Sequence, residues 1–320
     1  MINFNRLRVF YQAAKYLNFT RAAESLYITQ PAVTAQLKLF EDSCNLKLFK
    51  RKGKRNYLTD EGHTLYEYAR KIFEYEKEIE DVIDEMRELK RGVLRLGTTK
   101  TYARYFMPLL ISMFRETYPD IRIQLDEGSS LDMTNSLLDL RNELAIVARA
   151  ENYLNISLIP FSKEELIVIV AANHPLARRQ AIPLSDLAQE PIIMKEKGSG
   201  TRKLVSELFS ENGLTPNILM ETSNTEFIKQ LVQRGDGISF LVKAAVMTEI
   251  KEKKLATISI EHQNVFLEVN IAYLKNQHLS PPAQAFLDML RRLSAEDMPL
   301  DGIATLMDKI IAHGRERHRP

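Results

Sequence analysis

The chain has 320 residues, 45% of them apolar and 27% charged, which excludes a single small module and predicts a soluble protein of two or three domains with a real core. No run of about 18 uncharged apolar residues occurs, so no membrane-spanning helix is expected, and Asn3, Asn5, Arg6, Arg8, Gln12 and Lys15 interrupt any signal-peptide core. The net charge of +2 conceals a division: residues 1–59 carry 11 Lys and Arg against 3 Asp and Glu, residues 60–91 carry 6 against 11, and the remainder is nearly neutral. A basic segment on a neutral body is the footprint of a DNA-binding module. The single cysteine, Cys44, excludes an internal disulfide framework and suits a reducing cytoplasm.

Leu7, Phe10, Tyr11 and Ala14 recur at helical spacing and predict an N-terminal helix. Phe19 to Glu41, FTRAAESLYITQPAVTAQLKLFE, then reads as a helix-turn-helix. Thr20 is an N-cap type for its first helix, with Leu26 and Tyr27 closing the turn as apolar residues. Thr29 caps the second helix, Pro31 falls in its first turn where a missing N–H costs nothing, and Val33, Leu37 and Phe40 form its inner stripe. Gln30, Thr34, Lys38 and Glu41 lie elsewhere on that wheel. Lys50 to Arg55 form a basic turn between Phe49 and Tyr57, which predicts a wing beside the DNA backbone or minor groove.

Residues 60–90 contain no proline and predict one long helix. Leu65, Ala69, Ile72, Glu76, Ile79, Ile83 and Met86 alternate steps of four and three, with Phe73, Val82 and Leu89 flanking, a repeat that predicts pairing with the same helix of a second chain. Glu76 is the flaw in that seam.

The segments FTRAAESLYITQPAVTAQLKLFE, LFKR and LTDEG, followed by a long helix, resemble the N-terminal part of the LysR-type transcriptional regulators, and the likeness extends over residues 3–295. Asn45 stands where glycine is usual, Thr34 where serine is frequent and Glu61 where alanine is common. The resemblance implies a winged helix-turn-helix DNA-binding domain, all-α apart from its wing, at 1–59. A dimerising linker helix would follow at 60–90, then a two-lobe α/β effector domain like periplasmic binding proteins at 91–298, with its second lobe about 163–266, and a C-terminal extension at 299–320.

From Gly92 the pattern changes to alternating strands and helices, a βαβα order that predicts a parallel sheet with crossover helices. VLRLG, IRIQLDEG and ELAIVAR read as strands; Tyr105 to Tyr118 and the segment around Leu137 and Leu138 read as helices. ELIVIVAANHPLA opens the second lobe, FLEVNIAYL returns the chain to the first, and Pro281 to Leu293 closes it. Beyond Pro299, Ile303, Leu306, Met307, Ile310 and Ile311 suggest one more amphipathic helix.

Two candidate sites follow. For DNA they are Thr20, Arg21, Thr29, Gln30, Pro31, Ala32, Thr34 and Lys38 on the helix-turn-helix and Arg51, Lys52, Lys54 and Arg55 on the wing. Gln30 can pair bidentately with adenine and Ala32 can touch a thymine methyl, while the wing cations would supply salt-dependent phosphate attraction. For a ligand, KEKGSGTR ends a strand in a glycine turn before a helix, and free N–H groups at a helix start favour an anion. The resemblance places this segment in the LysR branch that includes regulators of carbon fixation and sulfur metabolism, whose effectors are often small anions. The ligand residues are then Gly198, Ser199, Gly200, Thr201 and Arg202 facing Thr99, Lys100, Thr101, Ser129 and Ser130, joined by Asn224 and Thr225.

The predicted partners are double-stranded DNA, a small anionic effector, further copies of the chain as a homodimer or homotetramer, and RNA polymerase as a candidate, with no membrane and no cofactor. No histidine or carboxylate set has a catalytic or metal-ligand spacing, so no enzyme activity is expected. An enzyme fused to a helix-turn-helix and an architectural DNA binder without effector are the alternatives.

Overall fold

The computed structural model describes residues 2–53, 55–148, 153–294 and 302. The chain divides into two compact units between Glu85 and Met86. The expected wing cation Lys54 and, apart from Gly302, the extension after Pro299 lie outside the described residues.

The first unit opens with α1 (Phe4–Tyr16), α2 (Phe19–Ser25) and α3 (Gln30–Cys44). Asn18, not Thr20, caps α2: its side chain accepts the N–H groups of Thr20 at 2.9 Å and Arg21 at 3.2 Å. Asparagine can span both donors from its extended backbone, which leaves Thr20 inside the first turn. The turn to α3 closes by two backbone bonds, from Ile28 to Ala23 (3.0 Å) and from Tyr27 to Glu24 (3.2 Å). This Schellman arrangement puts Tyr27 in the left-handed region (φ 53°). Tyr27 therefore does not close the turn onto the core; its side chain is 97% exposed. Asn45 ends α3 in the same conformation (φ 53°), in the role expected of a residue replacing glycine.

The core of this unit joins Leu7, Phe10, Ala22, Val33, Leu37 and Phe40 to Leu48 and Leu58. The latter two flank the wing, an antiparallel hairpin of β1 (Phe49–Lys52) and β2 (Arg55–Leu58). Glu41 is not part of an outward face: it accepts from Leu48 N at 2.8 Å, Phe49 N at 3.2 Å and Lys47 Nζ at 3.0 Å, tying α3 to the wing. Burial pushes its carboxyl upward, but these three donors outweigh it and hold the group below the ordinary carboxylate range.

The long helix α4 (Asp60–Arg87) has 28 residues, a rod of roughly 42 Å. Its apolar stripe splits. Leu65, Ala69 and Phe73 pack on their own unit, whereas Ile72, Ile79, Ile83 and Met86 remain exposed. Glu76 is the turning point, because both its oxygens bond the Arg8 guanidinium, which lies 4.9 Å over the Phe73 ring. The flaw in the repeat is thus a contact with α1.

The second unit contains β3 (Val93–Thr99), α5 (Lys100–Tyr105), α6 (Met107–Thr117), β4 (Arg122–Gly128), α7 (Ser130–Leu138), β5 (Leu144–Ala148) and β6 (Ile156–Ala171). It continues with β7 (Ala181–Ile182), α8 (Leu184–Leu187), β8 (Ile192–Lys195), α9 (Gly200–Glu211), β9 (Ile218–Thr222), α10 (Thr225–Arg234) and β10 (Ser239–Val242). α11 (Met247–Lys251), β11 (Leu255–Ile260), β12 (Val265–Leu274) and α12 (Pro281–Leu293) complete it. The helix expected from Tyr105 to Tyr118 is two helices that start five residues earlier and break at Phe106, where Pro108 opens the second.

Among the described residues the main sheet runs β4-β3-β5-β12-β6-β11-β7, with β10 also on β6, and β8 pairs β9 separately. The expected parallel sheet holds only for β3 with β4 and β5, for β8 with β9 and for β11 with β7; β12 and β6 run antiparallel to their neighbours. A 16-residue strand explains this: β6 belongs to the first lobe at its start and the second at its end, and β12 returns beside it. Their register shifts between Val269 and Asn270, opposite Ser162 and Pro160, where the pair passes between lobes.

Candidate functional site

In the first unit the start of α3 presents an exposed face of Gln30, Pro31, Thr34 and Lys38, with Ala32 half-buried. Thr29 caps the helix through Ala32 N at 3.4 Å. The Gln30 amide donates to Thr34 Oγ1 at 2.8 Å, and that hydroxyl donates to Gln30 O at 3.2 Å, so both side chains are held along the face before anything binds. Thr20 and Arg21 are exposed on the first turn of α2. On the wing Arg51, Lys52 and Arg55 are exposed, with Arg51 Nε bonded to Gly53 O at 3.1 Å. Gly53 takes φ 64° directly after Lys52, which pairs with Arg55. Ala35 is exposed as well, one turn after Pro31; the i, i+4 spacing was its only signal.

In the second unit three helix starts meet across a narrow cleft between the lobes. β3 delivers Thr99, Lys100 and Thr101, β4 delivers Ser129 and Ser130, and β8 delivers Lys195, Glu196, Ser199, Gly200 and Thr201. These are the carboxyl ends of strands, where α/β folds place ligands. Their ends differ in what they leave open. Thr99 caps α5 through Tyr102 N at 3.4 Å, and Ser129 forms a capping box with Asp132, whose carboxylate it holds below its ordinary range through backbone and side-chain bonds. Ser199 makes no side-chain cap bond to α9, so this helix start retains its donors.

Two glycines set the approach of the lobes. Gly198 (φ 85°) accepts from Leu131 N at 3.2 Å across the cleft. A Cβ on Gly200 would lie 2.2 Å from the carbonyl oxygen of Ala148 in β5. The glycine turn is therefore an inter-lobe contact as well as the opening of a helix.

The other predicted ligand residues are placed differently. Arg202 turns from the cleft to Glu221 (2.6 Å) and Lys195 O (3.2 Å), and with Gly198 it borders a neighbouring cavity. Asn224 caps α10 instead, and Thr225 lies beneath the cleft, where its Oγ1 accepts from Lys195 Nζ at 3.1 Å. Lys195 opens the candidate segment KEKGSGTR but is not among the residues expected to meet the ligand. Its ammonium also donates to Ser223 O at 2.7 Å and is 5% exposed; burial pulls its pKa down to about 8, offset by Glu196 and reinforced by Lys100. Lys100 reaches Glu196 at 3.6 Å across the lobes, so the lining carries two lysines against one carboxylate.

Residues 4–63 match the family described as bacterial regulatory helix-turn-helix protein, lysR family, and residues 87–295 match the LysR substrate binding domain. The chain is 36% identical over 286 residues to the HTH-type transcriptional activator CmpR of Synechocystis sp., covering 89% of this chain and 94% of that one. It is 32% identical over 289 residues to the RuBisCO operon transcriptional regulator of Allochromatium vinosum, covering 90% and 95%. The regulatory domain of Synechocystis CcmR, solved in complex with 2-PG, is 32% identical with a TM-score of 0.60, covering 65% of this chain and 100% of that one.

Proposed function

Since the chain belongs to the LysR family of transcriptional regulators, we propose that it reads DNA through the exposed start of α3 and the basic wing and adjusts that reading when a small anion enters the cleft. The single observation that carries the ligand class is the convergence of Lys100, Lys195 and the uncapped start of α9 on one small polar cleft. The exposed Ile72, Ile79, Ile83 and Met86 of α4 support a homodimer. Its place is the cytoplasm, with the DNA it reads. Closure of the lobes on the anion is a population shift, and it acts on DNA only through a difference in affinity between the two states.

Gln30→Ala tests the reader. In a mobility-shift titration it is expected to weaken operator binding by about 1–3 kcal/mol while leaving random DNA unaffected; an equal loss on both would remove Gln30 from base recognition. For the cleft the probe is 2-phosphoglycolate, the ligand of the CcmR domain. Above the ligand's own second phosphate pKa of about 6 and up to a pH of about 8 both ligand and Lys195 are fully charged and the affinity should be flat; above that, binding must take up a proton, so affinity falls by up to about tenfold per pH unit. Calorimetry from about pH 7.5 to about pH 10, above the ligand's own ionisation, checks this, and an affinity that rises with pH over that window would remove Lys195 from anion recognition.

A further inference from the structure

The turn that leads into α9 carries an anion of its own. Glu196 follows the last residue of β8, and its backbone is fixed on both sides: its N–H donates to Thr222 O at 3.2 Å, and its carbonyl accepts from Ser199 N at 3.2 Å. Its side chain lines the cleft and meets Lys100 Nζ of the first lobe at 3.6 Å. Among the described residues no other carboxylate lines the cleft. The nearby Asp132 is committed to its capping box, taking Ser129 N at 2.9 Å and Ser129 Oγ at 2.8 Å. The space left between the lobes is about 30 Å³, room for a water or two and not for an organic anion. Of the charged groups around it, Lys195 is held in place by Ser223 and Thr225, whereas the Glu196 side chain is 25% exposed and can swing out to solvent.

We infer that Glu196 is an internal competitor for the anion site: its carboxylate holds Lys100 across the cleft, and an entering anion must displace it from that cation. The inference rests on the reading of the cleft as an anion site and adds the residue that sets its affinity. One loop then carries both the free donors at the start of α9 and the carboxylate that opposes a second anion beside them. A pair as exposed as Lys100 with Glu196 is weak, so a ligand can break it. Once displaced, Glu196 still stands on the same turn and repels the bound charge. Both effects have one sign, and Glu196 raises the ligand concentration at which the cleft fills.

The test is calorimetric titration of the full-length chain with 2-phosphoglycolate at about pH 7, above the second ionisation of its phosphate. Glu196→Gln, which removes the charge, should tighten binding about tenfold. Glu196→Asp keeps the charge but draws it back by one methylene, beyond reach of Lys100, and should tighten binding about threefold. Burial lowers the pKa of Lys195 and Glu196 opposes this, so the alkaline fall in affinity should also begin at lower pH in Glu196→Gln than in the wild type. An affinity unchanged or lowered by Glu196→Gln would overturn the inference while leaving the cleft an anion site. A Glu196→Asp chain that binds no more tightly than the wild type would do the same, since the carboxylate would then not be occupying Lys100. Binding of neither 2-phosphoglycolate nor inorganic phosphate, by the wild type and by Glu196→Gln alike, would overturn the cleft reading and this inference together.

Discussion

Gly200→Ala is expected to abolish the effect of small anions on DNA binding while leaving DNA binding itself intact. The new methyl would sit 2.2 Å from Ala148 O and 2.7 Å from Ala148 C, and both are backbone atoms of a fully buried strand. No side chain can swing aside, so α9 must retreat from β5 and carry Ser199 and Thr201 with it. The helix start that supplies the donors then faces a wider cleft, and a displacement of this kind is sufficient to lose the charge-assisted bonds of an anion. A weakening of 2-phosphoglycolate binding by at least a hundredfold is expected in calorimetry, close to 3 kcal/mol at about 1.4 kcal/mol per tenfold. Retained affinity would mean that the lobes do not need this contact to bind.

Lys229→Met should give the largest loss of stability. Lys229 is 4% exposed, yet its ammonium is held by Glu249 at 2.7 Å, Glu226 at 2.8 Å, Ala245 O at 3.1 Å and the Tyr105 hydroxyl at 3.2 Å. Tyr105 belongs to the first lobe and itself donates to Glu226 at 2.8 Å, so the lysine anchors a junction between lobes on α5 and α10. Removing the cation leaves Glu249, 15% exposed, with no paired cation among the described residues and Glu226 with only the exposed Arg104 at 3.4 Å, and breaking a buried pair in this way typically costs about 3–5 kcal/mol. Urea unfolding followed on the second unit checks this, and adding Glu249→Gln to Lys229→Met should recover part of the loss. Burial alone would lower the lysine's pKa, but its bonds to Glu226, Glu249 and Tyr105 prevail and raise it above 10.5. The stabilisation is therefore fully present at neutral pH and is lost only as pH rises through that raised value.

The helix-turn-helix was legible because its determinants are local. Thr29, Pro31 and the inner stripe of α3 act within a few residues of one another, and the caps that were misassigned moved by two positions, from Thr20 to Asn18. Tyr27 differs from the expectation that it closes the turn as an apolar residue, because the Schellman bonds fix its backbone first and send the side chain outward. The stripe on α4 was legible as a period but not as two surfaces. Arg8, 68 residues earlier in the chain, decides where packing on α1 stops.

In the second unit the alternation of strands and helices revealed the α/β class, but not the mixed sheet. No local pattern reports that β6 crosses from one lobe to the other and that β12 comes back antiparallel beside it. The glycine turn was found as a candidate anion site on the strength of its helix start. Its second role, close approach of Gly200 to Ala148, depends on a strand 52 residues away. Lys195 opens the candidate segment, yet its role was not legible for the same reason: a lysine becomes a buried cation only when Ser223 and Thr225 are folded over it.

The central claim is that a small anion between the lobes changes how the chain holds DNA. DNase footprinting of the full-length chain on its own operator, with and without saturating 2-phosphoglycolate, tests it most directly. The expected result is a footprint that changes in length or cleavage pattern with the anion for the wild type and does not change for Gly200→Ala. A footprint indifferent to 2-phosphoglycolate and to other small oxyanions and carboxylates, yet altered by a neutral apolar ligand, would contradict it.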